Sequence, residues 1–512
     1  MIKRIKHEET ISKHAIKFAN IVFYLGIACS ILLIIFSIYR IYEKKLYFKS
    51  IELTDALGRI TGKAELKTSS FFQNLDFTIY HKVIVLSLIL IIFFIIILRL
   101  KNNIKINLSI LFSTLIICTY STELFLTFYV IDPVIFYKNL YKFGKNYDER
   151  TMLEVIEELN QSGIKAYPNI TPRKVLNLSE IEIVEESLKT NNGENKIYPL
   201  SGISNSTTIF KNELGFYPII ETDEHGFNNP KGLYEKNQMD LMIIGDSFAE
   251  GMNVNADENI SSILRSIDSN LKIINLGKQG HGPLLEFATI KEYGQFLKPK
   301  IILWFYYIND LSELERIQSL WPSMFRYLSE ENFSQNLILK QKEVDNLLIN
   351  YIEEKIKQEK IDNLKRKDLE IKVVIPEIFR LLQLRLFFEY IVSPPNIVYD
   401  QAPEDMIKTF NDILQKTKKV ISSWNGKLYF IYLPSFDLYS KNQEDINRET
   451  ILNTVKTLQI PIIDIQKEVF DIHPDPISLF PFKMNGHYTV EGNNLISKFI
   501  YKRIYDDGLL SY

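Results

Sequence analysis

Three apolar runs crowd the first quarter of this chain, and they constrain its fold more than anything that follows. They lie near 18–39 ("FANIVFYLGIACSILLIIFSIY"), 79–99 ("IYHKVIVLSLILIIFFIIILR") and 107–131 ("NLSILFSTLIICTYSTELFLTFYVI"). Each is long enough to cross a bilayer as a helix, which takes about 20 residues. A signal peptide fits the first run poorly, because the run is too long and no small-x-small site follows it. The N-terminal tail carries Lys3, Arg4, Lys6, Lys13 and Lys17, and the short second loop carries Arg99, Lys101 and Lys105. Basic loops stay cytoplasmic, so an inside N-terminus and three crossings place everything after about 133 outside, in the periplasm of a two-membrane cell. The expected location is the inner membrane, multi-pass.

At 512 residues the chain exceeds one ordinary domain. A formal net charge of -2 gives no electrostatic ground for a nucleic-acid partner. The two cysteines, Cys29 and Cys118, fall in apolar runs and read as small packing residues. The remainder has no cysteine for zinc or thiol chemistry, and the sequence implies no cofactor.

Residues 1–133 thus form a membrane anchor and 134–238 an extracytoplasmic connecting region, helical near 148–162, with turn clusters at 190–195 and 225–230. From 239 to 512 the pattern sharpens. Short runs at 240–246, 271–277, 299–307, 426–434 and 460–465 are apolar on both faces and alternate with helical stretches. That pattern predicts a three-layer α/β domain around a five-stranded parallel sheet. About 115 residues separate the third and fourth runs, and Leu337, Val344, Leu347, Leu348, Tyr351 and Ile352 recur there at helical spacing. The reading is a helical insertion at about 312–402, serving as a packing layer, a lid or a membrane-facing surface.

Ligands of open parallel sheets bind outside the carboxyl ends of the strands. Ser247 in "GDSF" ends the first run, as a nucleophile or as an ordinary helix cap. "NLGKQGHGP" (275–283) ends the second and "YYINDL" (306–311) the third. The backbone N–H groups of Ser247 and Gly280 and the amide of Asn309 suit an oxyanion, and His487 in "MNGHYTVEGN" (484–493) suits a general base.

This ordered set resembles the SGNH hydrolase superfamily, the GDSL-like esterases, over about 240–505. The resemblance implies a flavodoxin-like sandwich, with Ser247 as nucleophile, Gly280 and Asn309 in the oxyanion hole and His487 as base. "TDEHGFNNP" (222–230) is similar to the lead-in of some envelope-associated members. Two positions depart from the pattern. Ile308 replaces a glycine before Asn309, and Met484 and Asn485 stand where an aspartate precedes the histidine. Asn485 is then the residue expected to orient His487, with Asp475 and Asp437 as more distant carboxylates, and Asn485→Asp is expected to raise the rate.

The function expected is a membrane-anchored esterase that removes acyl groups, O-acetyl foremost, from an envelope glycan or lipid. The alternatives are an O-acyltransferase working with envelope-polysaccharide machinery, and a non-catalytic carbohydrate-binding or assembly protein.

Overall fold

A computed structural model describes residues 12–61, 78–129, 148, 150–175, 197–235, 238–379, 381–385, 388 and 401–509. The turn cluster at 190–195 lies outside them. The chain divides into two compact units, Met1–Ile131 with Lys372–Val392, and Asp132–Ile371 with Ser393–Tyr512.

The first unit is built on helices α1 (Lys13–Thr61), α2 (Thr78–Leu98) and α3 (Asn102–Tyr129). Stretches of 30, 19 and 26 residues within them are long and apolar enough to cross a membrane. In lipid the helices gain nothing from burying apolar surface as such, so close packing must hold them. Phe23, Phe94 and Phe112 supply it, with ring centroids 6.1–6.2 Å apart. Leu32, Ile92 and Ile117 point outward. So do Cys29 and Cys118, which are exposed rather than packed between helices as their apolar surroundings suggested.

The first helix described in the second unit is α4 (Met152–Gln161), started by a Thr151–Glu154 capping box. A small sheet follows, of β1 (Ala166–Pro168), β2 (Thr207–Ile209) and β3 (Ile219–Glu221), with β1–β2 parallel and β2–β3 antiparallel. The connecting region, read from sequence as partly helical, therefore also carries a sheet.

The main sheet contains β4 (Leu241–Ile244), β5 (Ile273–Asn275), β6 (Ile301–Tyr306), β7 (Lys427–Tyr432) and β8 (Ile462–Asp464), all parallel, in the order β5-β4-β6-β7-β8. Successive strand residues point to opposite faces, so double-sided burial requires apolar residues throughout. Met242, Ile244, Ile302, Trp304, Phe430 and Tyr432 enter one core. There they meet α7 (Pro283–Thr289), α8 (Asp310–Leu320), α10 (Glu404–Ser422) and α11 (Arg448–Thr457). Leu241, Ile243, Leu303, Phe305 and Ile431 enter the other, with α6 (Ile260–Ile267) and α12 (Val490–Asp506). Each fully buried Leu or Ile side chain contributes about 1.5–3 kcal/mol.

In the insertion, α9 (Gln341–Phe379) buries Val344, Leu348 and Ile352 in the first core, while Leu347 and Tyr351 are partly buried against it. The strand order reverses between β4 and β6, which opens a crevice at their carboxyl ends.

Candidate active site

The chain leaves β4 through Gly245, whose φ is +154°, and a Cβ there would sit 2.9 Å from both Ala249 and Phe305. Only glycine admits this turn. Asp246 then caps the short helix α5 (Ser247–Glu250), accepting the Phe248 N–H at 2.9 Å through Oδ1. Its Oδ2 accepts the Asn309 amide at 3.3 Å, so one buried carboxylate ties the ends of β4 and β6 together. Burial pushes its pKa up, against the hydrogen bond from Phe248. Ser247 is thus both the first residue of a helix and a hydroxyl presented at the crevice.

Ser247 Oγ lies 2.8 Å from His487 Nε2. On the far side of the ring, Nδ1 is 3.1 Å from Glu213 Oε2, and the same oxygen accepts the His487 backbone N–H at 2.9 Å. Serine, imidazole and carboxylate stand in line. The Asn253 amide is also 2.8 Å from Nδ1. One ring nitrogen cannot both donate to Glu213 and accept from Asn253, and Asn253 Oδ1 is otherwise without a partner among the described residues. Turning the amide over resolves the first point: Nδ1–H can then donate to Glu213 and to Asn253 Oδ1, leaving Nε2 to accept the Ser247 proton, while Nδ2 takes the buried place of Oδ1. Burial opposes a charged ring, yet the Glu213 carboxylate, with Asp246 and Glu250 behind it, outweighs that and holds the His487 pKa above its ordinary 6.5. Burial likewise opposes the Glu213 charge, and the facing ring outweighs it, holding the carboxyl below its ordinary 4.5.

Sequence reading missed Glu213. It sits in the loop between β2 and β3, 274 residues before His487 and outside any motif. That loop is strapped in place: Asn212 donates to the Asp148 carbonyl at 2.9 Å and accepts the Gly215 N–H at 2.8 Å, while the Asp148 N–H reaches the Gly215 carbonyl at 2.7 Å. The residues expected to orient the ring do something else. Asn485 is exposed on the cleft wall, with no hydrogen bond to His487 among the described residues. Asp475 pairs with Lys483 at 2.6 Å and is 46% exposed. Asp437 also lines the cleft and pairs with Lys441 at 3.2 Å. With the ring already held by a carboxylate, the expected gain from Asn485→Asp loses its basis.

The oxyanion donors are placed unequally. Asn309 borders the cleft, and its amide keeps a second hydrogen beyond the one given to Asp246. The N–H groups of Ser247 and Gly280 have no protein partner among the described residues. Gly280 is not among the residues that line the cleft. It turns at φ +77°, with a Cβ there only 2.3 Å from Thr171, so its loop tolerates no side chain.

Under that loop lies a buried ion pair, Lys278 Nζ to Glu250 Oε1 at 2.6 Å, each side chain 3% exposed. Glu250 Oε2 accepts the Gln279 N–H at 2.9 Å, and Asn169 bridges both partners. Lys278→Met would strand the Glu250 charge, which costs about 3–5 kcal/mol in buried pairs. Chemical denaturation should show this loss, and Lys278→Met with Glu250→Leu should recover part of it.

The "TDEHGFNNP" segment braces the same region. Asn229 donates to Asp223 and to the Asn275 carbonyl, each at 2.8 Å, and accepts from Arg265 at 2.9 Å. Burial pushes Asp223 up to about 7.

The cleft holds about 370 Å³. Phe248, Tyr307, Ile308, Phe436 and Ile446 give it apolar surface, and Ser435, Gln443 and Glu444 give it polar surface. Ile308 stands at the wall beside Asn309 where the pattern expected glycine. Among the described residues no cluster suits a metal ion.

Solved structures similar to about half of this chain include proteins described as a lipase/acylhydrolase, an acetyl xylan esterase and a lipolytic protein of the G-D-S-L family. A lipase/acylhydrolase from Enterococcus faecalis is 12% identical, covering 53% of this chain and 97% of its own, with a TM-score of 0.30. The acetyl xylan esterase AlAXEase is 10% identical, covering 52% and 98%, at 0.29. A protein assigned to the lipolytic G-D-S-L family from Desulfitobacterium hafniense DCB-2 is 13% identical, covering 52% and 99%, at 0.28. No family model and no curated protein matches the chain.

Proposed function

We propose that this protein is a membrane-anchored serine esterase whose catalytic domain lies outside the cytoplasmic membrane and removes short acyl groups, O-acetyl foremost, from an envelope glycan or lipid. The observation that carries the reading is the Ser247–His487–Glu213 line, with 2.8 and 3.1 Å between successive groups. A serine hydroxyl is a weak nucleophile until a base takes its proton, and the base needs a third group to hold its tautomer. Every one of those parts is present.

In this mechanism Ser247 Oγ attacks the acyl carbon as His487 Nε2 takes the hydroxyl proton. Glu213 stabilises the imidazolium. The carbonyl oxygen, now an oxyanion, is met by the Asn309 amide and by the Ser247 N–H, both at the cleft. Imidazolium returns its proton to the departing alkoxide. Water then enters by the same base and releases the acid. The mixed lining of the cleft fits a small apolar acyl group joined to a hydroxyl-rich alcohol. A purely carbohydrate-binding protein has no use for an aligned serine, imidazole and carboxylate.

Incubating the full-length protein with a chromogenic acetyl ester tests the reading. Acid release without an acceptor is the expected result, and release only when an acceptor sugar is present would turn it to acyl transfer. No release in either case would overturn it. Asn309→Ala should lower kcat by about 10²–10³ with KM little changed, because its donor is aimed at charge that exists only in the transition state.

A further inference from the structure

Glu123 is the only acidic residue in the three apolar spans, and it is fully buried. A carboxylate within a membrane is costly unless it finds partners. Those it finds here are backbone groups from a distant part of the chain: the Gln383 N–H donates to Oε1 at 2.9 Å and the Leu384 N–H to Oε2 at 2.7 Å. Near the same turn of α3, the Tyr120 hydroxyl donates to the Phe379 carbonyl at 3.4 Å, and the two rings meet edge-on with centroids 6.3 Å apart. Residues Lys372–Val392 accordingly belong to the membrane unit, although in sequence they sit inside the insertion between β6 and β7.

Three observations say what surrounds this segment. Its sequence, "IKVVIPEIFRLLQLRLFFEYIV" (371–392), is mostly apolar with scattered charges, as in segments that lie in a membrane interface. Phe379 is 71% exposed and Phe388 57%. Glu123 stands four residues before Thr127, where the third span ends, hence about 6 Å inside that end at 1.5 Å per residue. From that end the chain runs on to the α/β domain, to which both ends of the segment also return. A segment entering and leaving on one side does not cross.

We infer that the described residues between Lys372 and Phe388 form a fourth membrane element, lying in the headgroup–acyl boundary at the end of α3, fastened to α3 by Glu123 and presenting Phe379 and Phe388 to lipid. The occupant of the exposed apolar surface is lipid, because that surface is continuous with spans whose own outward residues are bare in the same way. The inference rests on the three helices being membrane spans.

The test uses the full-length protein, with Cys29 and Cys118 replaced by serine, in phosphatidylcholine vesicles. Phe388→Cys, Leu88→Cys and Leu339→Cys are labelled singly with a fluorophore. Leu88 lies in α2, and Leu339 is 82% exposed on the α/β unit. Lipids with nitroxide-bearing acyl chains should quench the label at 388 and at 88 at least three-fold more than at 339, with iodide showing the reverse order. A label at 388 that behaves like the one at 339 overturns the inference. If 88 also behaves like 339, the membrane reading of the helices fails with it; if 88 alone is quenched by lipid, only the fourth element fails. In the Phe388→Cys protein, Glu123→Ala leaves two N–H groups without an acceptor and should move the reading at 388 to that of 339. Glu123→Gln keeps one carbonyl oxygen and should retain at least half of the quenching. An unchanged reading in Glu123→Ala would overturn the fastening role assigned to that carboxylate.

Discussion

Replacing Ser247 by alanine should abolish ester turnover while leaving the domain folded. The hydroxyl contributes almost no packing, since its partners are His487 at 2.8 Å and, weakly, Asp246 at 3.5 Å. The helix-capping bond that shapes the turn comes from Asp246 and survives the change. What is lost is the hydroxyl that stands against His487 Nε2. In serine hydrolases, removing a member of such a group costs up to about 10⁶ in kcat, with the residual rate coming from the oxyanion donors and binding. The check is kcat on a chromogenic acetyl ester alongside the denaturation midpoint. An unaltered kcat in Ser247→Ala would end the serine-esterase reading, whereas a fall in both kcat and midpoint would call for Ser247→Thr, which restores a hydroxyl.

The legible part of this protein was the part written in local pattern. Strands buried on both faces leave no room for polar residues, so β4, β6 and all of β7 after its exposed Lys427 stand out as apolar runs, and the ends of β4 and β6 carry Ser247 and Asn309. His487 is marked by its place two residues before the Thr489 cap of α12. Glu213 has no such mark. It is one glutamate in a loop between two strands of three residues each, and its role comes from a tertiary contact. A signal was nevertheless present in the vacancy at Asn485, since a histidine poised against serine without a nearby acid must draw its carboxylate from elsewhere. The same holds for Glu123. The sequence places it in an apolar run, but the backbone groups that justify it lie 260 and 261 residues away.

Glu213→Gln tests that borrowed carboxylate, and its effect should be nearly as large as that of the serine. The amide keeps the shape of the loop and can still accept one bond from Nδ1–H, but it carries no charge to set against the imidazolium formed as Ser247 loses its proton. The analogous Asp-to-Asn change in serine proteases lowers kcat by about 10⁴, part of it through the wrong tautomer. A loss of about 10³–10⁴ is expected here, because Asn253 remains to hold Nδ1. A structural role alone could also cost activity, so the deciding measurement is the pH profile. As a base His487 works only when neutral, and Glu213, with Asp246 and Glu250, holds its pKa above 6.5, so the acid limb of kcat/KM for the native protein is expected above that value. Without the carboxylate, burial is opposed only by the weaker fields of Asp246 and Glu250, and the limb should move to lower pH. Stability follows the same linkage. A raised histidine pKa contributes stability that is complete below the unfolded value and lost as pH rises through the folded one; a lowered glutamate pKa contributes stability above its unfolded value and lost as pH falls through the folded one. The destabilisation caused by Glu213→Gln should therefore be greatest between those two limits, from about pH 4.5 to 6.5, and smaller at pH 9. A reduced rate with the limb unmoved would leave Glu213 as a brace for the loop, and the acid would then have to be sought at Asp437 on the opposite wall of the cleft.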